Sequence, residues 1–541
     1  MIAPVRAGPL AATYDAGTLR TITLGGVEVL RGIFPAVRDA NWQTLVPTIS
    51  DEQIEADEHS FCISYSAFYR SAEIELVASV RIRGDRAGTL VFTLDCAALR
   101  ACQINRIGLC VLHPIRECAG QPCVLVDTQG TTHTTQFPDT IAPHQPFVDL
   151  RALRWHPAPR LAAELVCEGD TFETEDQRNW SDASFKTYSR PLALPYPYTV
   201  APGESIAQSV TLSTRTGDHG YSPAPGRSGG WGGEVAFPST AAPLPAAPPP
   251  SLPPIGVAHD GRSVVYSAAE LAAIQALRLD HLRIDLDLST RTWHAQLAAA
   301  STDARHCGAA LVVAAIFGAH PSTEALALGS ALRSCGSEVR SILMLQRDHA
   351  TTPPGLVEQI GPVLRAALPA ARLLAGTQAY FAQVNRNPAI AQGVDGVAYS
   401  LNPQVHAADD QTIMENLAAQ GDTVRSALRF ARSVHVGPVT LRAVRNFDAT
   451  SDAPAPQGAL PWNVDVRQPA AFTAAWTRTS IEELARAGVA RITIHELSGM
   501  RGLFLPASEP VVVGFPATPG TLFPVYHVLH ELCGGGRGRI L

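Results

Sequence analysis

Two rhythms of apolar and polar residues run along this chain. From about residue 20 to 215 the two classes alternate, as in FCISYSAFY (61–69), AEIELVASVRIRG (72–84), GTLVFTLDC (88–96), INRIGLCVLHP (104–114), PCVLVDTQG (122–130), RLAAELVCEG (160–169) and ESIAQSVTLSTR (204–215). Period two, bounded by Gly, Pro and Asp turns, predicts antiparallel strands with one face buried. An antiparallel β-sandwich over residues 1–216 follows.

Between about 217 and 254 the stretch YSPAPGRSGGWGGEVAFPSTAAPLPAAPPPSLPP is dominated by proline and glycine, which stop regular elements, and it reads as a linker. Beyond it, over 255–541, the rhythm changes to short apolar runs separated by helical patterns such as SAAELAAIQALR and PGLVEQIGPVLRAAL. The runs are IGVAHD (255–260), HLRIDLDL (281–288), ALVVAAIF (310–317), VRSILMLQ (339–346), RLLAGTQ (372–378), VDGVAYSL (394–401), VHVGPVTLR (434–442) and ARITIHEL (490–497). Continuous apolar strands between helices indicate a parallel sheet covered on both faces, and eight in about 250 residues is the arithmetic of a (β/α)8 barrel, TIM-like in layout. The long insertion NFDATSDAPAPQGALPWNVDVRQP after the seventh run is then a loop at the barrel mouth. PVYHVLHELC reads as the eighth helix, followed by a short glycine-rich tail.

Composition narrows the partners. A net charge of -7 with mixed signs and no basic block argues against nucleic acid or a membrane surface. No apolar run reaches the roughly 18–20 residues of a membrane span, and the amino terminus shows no secretory pattern. The 10 cysteines form no C-x-x-C pair, as expected for reduced core residues of a cytoplasmic protein. A small molecule is the expected partner.

In such barrels the catalytic mouth is built from residues at the carboxyl ends of strands. The candidates are His259 and Asp260; Arg283, Asp285 and Asp287; Gln346, Arg347 and Asp348; Thr377, Tyr380, Asn385 and Arg386; Ser400, Asn402 and His406; Arg442 and Arg445; His495 and Glu496. Plain structural readings compete. Arg283 with Asp285 fits a salt bridge inside the barrel, Asp287, Asp348 and Arg445 fit solvated loops, and Tyr380 fits packing. Asn402 and His406, in SLNPQVHAADD, follow an apolar strand where a proline-bearing turn can aim an imidazole. Of His495 and Glu496 only one should face the axis, and RITIHE, apolar on both faces, does not say which.

Several mechanisms fail on residue type. No H-E-x-x-H occurs, no H-x-H follows the first strand, and no G-x-S-x-G elbow joins a predicted strand to a helix. A retaining glycosidase needs two facing carboxylates, from the ends of the fourth and seventh strands in related barrels, and Gln346 and Arg442 stand there instead.

One segment is unusually charged. TFETEDQRNWSDASFKTYSRPL (171–192) gathers Glu173, Glu175, Asp176, Arg178, Asp182, Lys186 and Arg190 in a chain only 17% charged. Carboxylates and amides suit hydroxyls, the Trp180 indole suits an apolar sugar face, and cations suit a carboxylate or carbonyl oxygen. The competing reading is a salt-bridged latch between domains; a loop crossing the barrel mouth would do both.

EDQRNWSDASFKTY (175–188), with HPIRECAGQPC (113–123), FPDTIAPHQPFVDLRAL (137–153), GTQAYFAQVNRNP (376–388) and SLNPQVHAADD (400–410), resembles the D-apionate lactonase family over residues 20 to 530 or so. The resemblance implies a hydrolase that opens the lactone of a branched-chain sugar acid in apiose catabolism. Position and residue type then propose Glu496, Glu175 or His406 as the base that activates water, and Arg283, Arg442, Lys186 and Asn402 as oxyanion or carboxylate partners. Asp176, Arg178, Asn179, Trp180, Asp285, Tyr380 and Asn385 complete the expected substrate contacts. No cofactor or metal is expected, although His259, Asp260 and Asp285 are dispersed groups of ligand type. The alternatives are a glycoside hydrolase acting on a pentose-bearing glycoside and a non-catalytic carbohydrate-binding protein.

Overall fold

The computed structural model describes residues 2–217, 251–445 and 460–534. The chain divides into two compact units, Met1–Gln177 with Ala183–Pro245, and Arg178–Asp182 with Ala246–Leu541. Most of the proline-rich linker, part of the insertion after the seventh barrel strand (446–459) and the glycine-rich tail (535–541) lie outside the described residues.

Among the described residues of the first unit, 17 strands join in one antiparallel network. The alternating runs become its longest strands. Phe61–Arg70 buries every second residue, pairs along its whole length with Glu75–Gly84, and that strand pairs with Thr89–Ala98. Ile63, Ile82 and Phe92 meet in the interior, all at most 1% exposed, and each such side chain stabilises the fold by about 1.5–3 kcal/mol. The network begins earlier than the pattern indicated, at Ile2–Ala7 and Leu10–Asp15. It also contains the charged segment, which is not a loop but a hairpin of Phe172–Asp176 and Ser184–Tyr188. Phe172–Asp176 is buried at every position, acids included, so it lacks the half-polar alternation by which a strand is recognised.

The second unit is a closed barrel of eight parallel strands. They run Ile255–His259, His281–Asp287, Ala310–Phe317, Val339–Gln346, Arg372–Gly376, Gly396–Leu401, Val434–Val439 and Arg491–Glu496, one for each predicted run. The seventh stops at Val439, ahead of the predicted end at Arg442, because Pro438 offers no N–H to the ladder and the register shifts between Val436 and Val439. The connection after the fifth strand holds short helices, the five-residue α-helix Phe381–Asn385 and the 3-10 helix Pro388–Ala391, where most of the others carry a helix of 9 residues or more.

On the barrel axis Ala314, Ile316, Leu343, Leu345, Leu374 and Ala398 form an apolar plug. The second strand instead sends polar residues inward. His281 Nε2 meets Thr493 Oγ1 at 2.8 Å, which requires Gly256 on the first strand: a Cβ there would lie 2.5 Å from the His281 ring and 2.2 Å from its carbonyl oxygen. Among the described residues no helix is long and apolar enough to cross a membrane.

Candidate functional site

The end of the eighth strand answers the question that RITIHE left open. His495 adopts a left-handed backbone, φ 53°, which interrupts the alternation of side chains. Its Nε2 meets Thr477 Oγ1 at 2.8 Å on the helix Ala471–Arg486 and its Nδ1 lies 3.3 Å from Gln468 Nε2. Burial lowers its pKa to about 3, so it is a neutral histidine of the helix layer. Glu496 is left at the mouth beside Arg501, and it is 7% exposed. Burial and the charge of Asp260 raise its pKa, Arg501 and Arg262 opposing them, and burial dominates.

The tip of the charged hairpin, Arg178–Asp182, belongs to the barrel unit. Arg178, 0% exposed, donates from Nη1 to Asp422 Oδ2 at 3.0 Å. Asn179 Oδ1 accepts from Asn385 Nδ2 at 3.0 Å. Asp182, also buried, holds His406 Nδ1 at 2.5 Å with one oxygen and accepts from Asn416 Nδ2 at 2.8 Å with the other. A carboxylate on Nδ1 fixes ring and tautomer and leaves Nε2 as the atom able to take a proton. Trp180, half-buried, joins the group: the His406 ring meets it edge-on at 5.8 Å between centroids, and the Arg386 guanidinium lies over it at 5.4 Å. Base, indole and cation therefore meet in one place, on residues that follow the fifth and sixth strands.

The other expected residues form separate networks. Arg283 Nε and Asp285 Oδ1 pair at 2.9 Å inside the barrel, as the structural reading had it, and Asp285 Oδ2 also accepts from Gln378 Nε2 at 2.6 Å. Asn402 is buried and accepts from the Gln404 N–H at 3.2 Å, a local turn. Tyr380 stands at the N-cap position of the short helix without a side-chain cap hydrogen bond, and is half-buried. Arg442 is an exposed side chain 3.4 Å from Asp465 and donating to the Trp462 carbonyl. His259 lies between the Gly261 N–H, which donates to Nδ1 at 2.9 Å, and Asp303, 3.1 Å from Nε2, while Asp260 pairs with Arg262 at 2.5 Å. Among the described residues no three His, Cys, Asp or Glu side chains converge as a metal-ligand set.

Glu175, Asp176 and Lys186 belong to the sandwich unit. Glu175 and Lys186 are cross-strand partners, 2.5 Å apart, and Asp176 accepts from the Ala142 N–H at 3.0 Å. Sequence reasoning left Asp182 and Asn416 out of the site, and named Arg386 as a strand-end candidate without giving it a role. The signal for Asp182 was its place in the charged segment, but its histidine is 224 residues away in the chain, beyond any periodicity.

Residues 2–217 match the family described as D-apionate lactonase, N-terminal domain, and residues 255–536 match D-apionate lactonase, TIM barrel domain. A D-apionate lactonase of Brucella anthropi is 32% identical over 525 residues, 94% of this chain and 85% of that one. Among solved structures, the galactose 1-epimerase of Lactobacillus acidophilus NCFM aligns with 40% of this chain and 95% of its own at 8% identity and TM-score 0.29. A β-arabinopyranosidase aligns over 69% of this chain and 66% of its own at 10% identity and TM-score 0.27. Scores this low carry no weight for activity. Both family domains, matched in order along nearly the whole chain, and the full-length relative place this chain in the D-apionate lactonase family.

Proposed function

We propose that this chain is a lactone hydrolase of apiose catabolism that opens D-apionolactone to D-apionate, and that His406 is its general base. The observation that supports the assignment is the convergence on Trp180 of an imidazole held by a buried carboxylate and of a guanidinium. The indole offers a surface for the C–H face of the lactone. His406 Nε2 takes a proton from water, and the oxygen attacks the lactone carbonyl. Asp182 stabilises the imidazolium so formed, and Arg386 faces the negative oxygen of the tetrahedral intermediate. Collapse breaks the ring C–O bond, and the imidazolium returns its proton to the departing alkoxide. The product is an open hydroxy acid, ionised at neutral pH.

A second reading puts the base at Glu496, favoured by its burial and raised pKa at a strand end. Lactonase activity is tested by acid release from D-apionolactone and a panel of aldonolactones, with and without EDTA. Fast release on the branched lactone, unaffected by chelator, is expected; release from none of the lactones refutes the function. Loss of kcat in His406→Ala with retention in Glu496→Gln selects the first base, and the opposite pattern selects the second.

A further inference from the structure

The sandwich unit carries a charged sheet face that the scheme above does not use. Four strands lie side by side: Phe172–Asp176, Ser184–Tyr188, Cys102–Pro114 and Val27–Asp39. Their register sets Glu173 against Tyr188, Glu175 against Lys186, Tyr188 and Phe34 against Cys110, and Arg38 against Arg106. Directly opposed residues share a face, as do alternate residues along a strand, so all of these side chains stand on one side of the sheet. Phe34, Ala36, Cys110 and Tyr188 do pack together there.

Each of the two acids of this face has a protein partner at Oε1. Glu175 is held by Lys186 at 2.5 Å, and Glu173 by the Tyr188 hydroxyl at 2.5 Å and the Leu192 N–H at 2.8 Å. Neither arginine has such an ion pair among the described residues, although the Asp170 carboxylate lies within electrostatic reach of Arg106. Arg38 and Arg106 are like charges set directly opposite, an arrangement that is unfavourable by itself. Arg38 donates to the Trp42 carbonyl at 3.2 Å. Arg106 is only 7% exposed, its guanidinium lies 5.3 Å from the Trp42 ring and 5.2 Å from the Tyr188 ring, and its Nη2 has no hydrogen-bond partner among the described residues. Trp42 reaches its place with φ 64°, a left-handed conformation that a bulky residue seldom adopts. The guanidinium thus lies beside two rings while its buried Nη2 keeps an unmet donor, and a carboxylate is the group a guanidinium fork grips.

We propose that Arg106, with Arg38 beside it, is the carboxylate anchor of a binding site for an aldonate on the sandwich unit, the neighbouring Glu173, Glu175 and Lys186 meeting its hydroxyl groups. This rests on the lactonase reading in one respect: the product of that reaction is an aldonate.

The test is calorimetry on the full chain with D-apionate, the corresponding neutral alditol and inorganic phosphate. Aldonate is expected to bind, the alditol at least about tenfold more weakly, and Arg106→Met to weaken the aldonate roughly 10- to 100-fold, the loss of charge-assisted hydrogen bonds. Arg106→Lys keeps the charge without the fork and should fall between. Circular dichroism shows whether Arg106→Met is folded; if it is not, Arg38→Met, at a half-buried position, takes its place with a several-fold loss expected. Unchanged aldonate affinity in a folded variant overturns the proposal, as does equal affinity for the alditol or binding of phosphate alone. Arg106-dependent aldonate binding without turnover of any lactone would sink the catalytic reading and leave this site standing; turnover with Arg106-independent binding does the reverse.

Discussion

Replacing Asp182 by Asn changes a single atom type at the centre of the proposed mechanism. In the native arrangement the carboxylate accepts from His406 at Nδ1, 2.5 Å away, and from Asn416 at 2.8 Å. Asn can still accept from Asn416 with its oxygen, which turns its NH2 group towards Nδ1. The imidazole must then carry its proton on Nε2, where it cannot receive one from water, and the imidazolium of the transition state loses its counter-charge. The loss expected of a disabled general base is about 10²–10⁴-fold in kcat, or about 3–5 kcal/mol of barrier. KM should change little, because Asp182 touches the histidine and not the lactone. Folding stability should fall by about 1.5–3 kcal/mol, the value of charge-assisted hydrogen bonds at a residue only 4% exposed. Rates on D-apionolactone at 25 °C, below the melting transition of every variant, separate the two effects. Asp182→Asn, His406→Ala and the double variant should be equally impaired, since residues acting as one unit are non-additive. A folded Asp182→Asn enzyme with at least a third of the native kcat, or a double variant whose defect is the product of the two singles, would refute the assignment.

Two further outcomes follow from buried carboxylates. The folded-state pKa of Glu496 is raised above the ordinary value of 4.5, so its stabilising contribution is complete below 4.5 and is lost as pH rises through the folded value. Glu496→Gln should therefore flatten the decline in melting temperature over that window, and an unchanged pH profile would contradict it. Asp465, by contrast, is buried, with Arg467 and Gln404 hydrogen-bonded to it, and although burial alone would raise its pKa, these partners hold it well below the carboxylate range. Its contribution is present above the ordinary value of 3.8 and disappears as pH falls through the folded one. Asp465→Asn should cost about 1.5–3 kcal/mol at neutral pH and nothing in strong acid, measured by urea unfolding; an equal loss at both extremes would assign the effect to packing.

The sequence by itself determined the architecture, because period-two and continuous apolar patterns report how many faces of a strand are buried. All eight barrel strands were legible in this way, and the ends of the third and fourth at Phe317 and Gln346 coincide with the pattern. The charged hairpin was misread as a loop because Glu173, Glu175 and Asp176 are buried within a strand, their charges met by partners that apolar patterning cannot register. The segment's specificity as a motif was nonetheless visible. Tertiary structure alone decided its division, with Glu175 and Lys186 paired across strands in the sandwich unit and Asp182 delivered to His406 in the barrel unit. It also decided that His495 turns to the helix layer and Glu496 to the mouth, through one left-handed residue that no periodicity announces. Patterns along a chain record which surfaces are buried; which ionisable groups meet depends on contacts between residues hundreds of positions apart, and those exist only once the chain has folded.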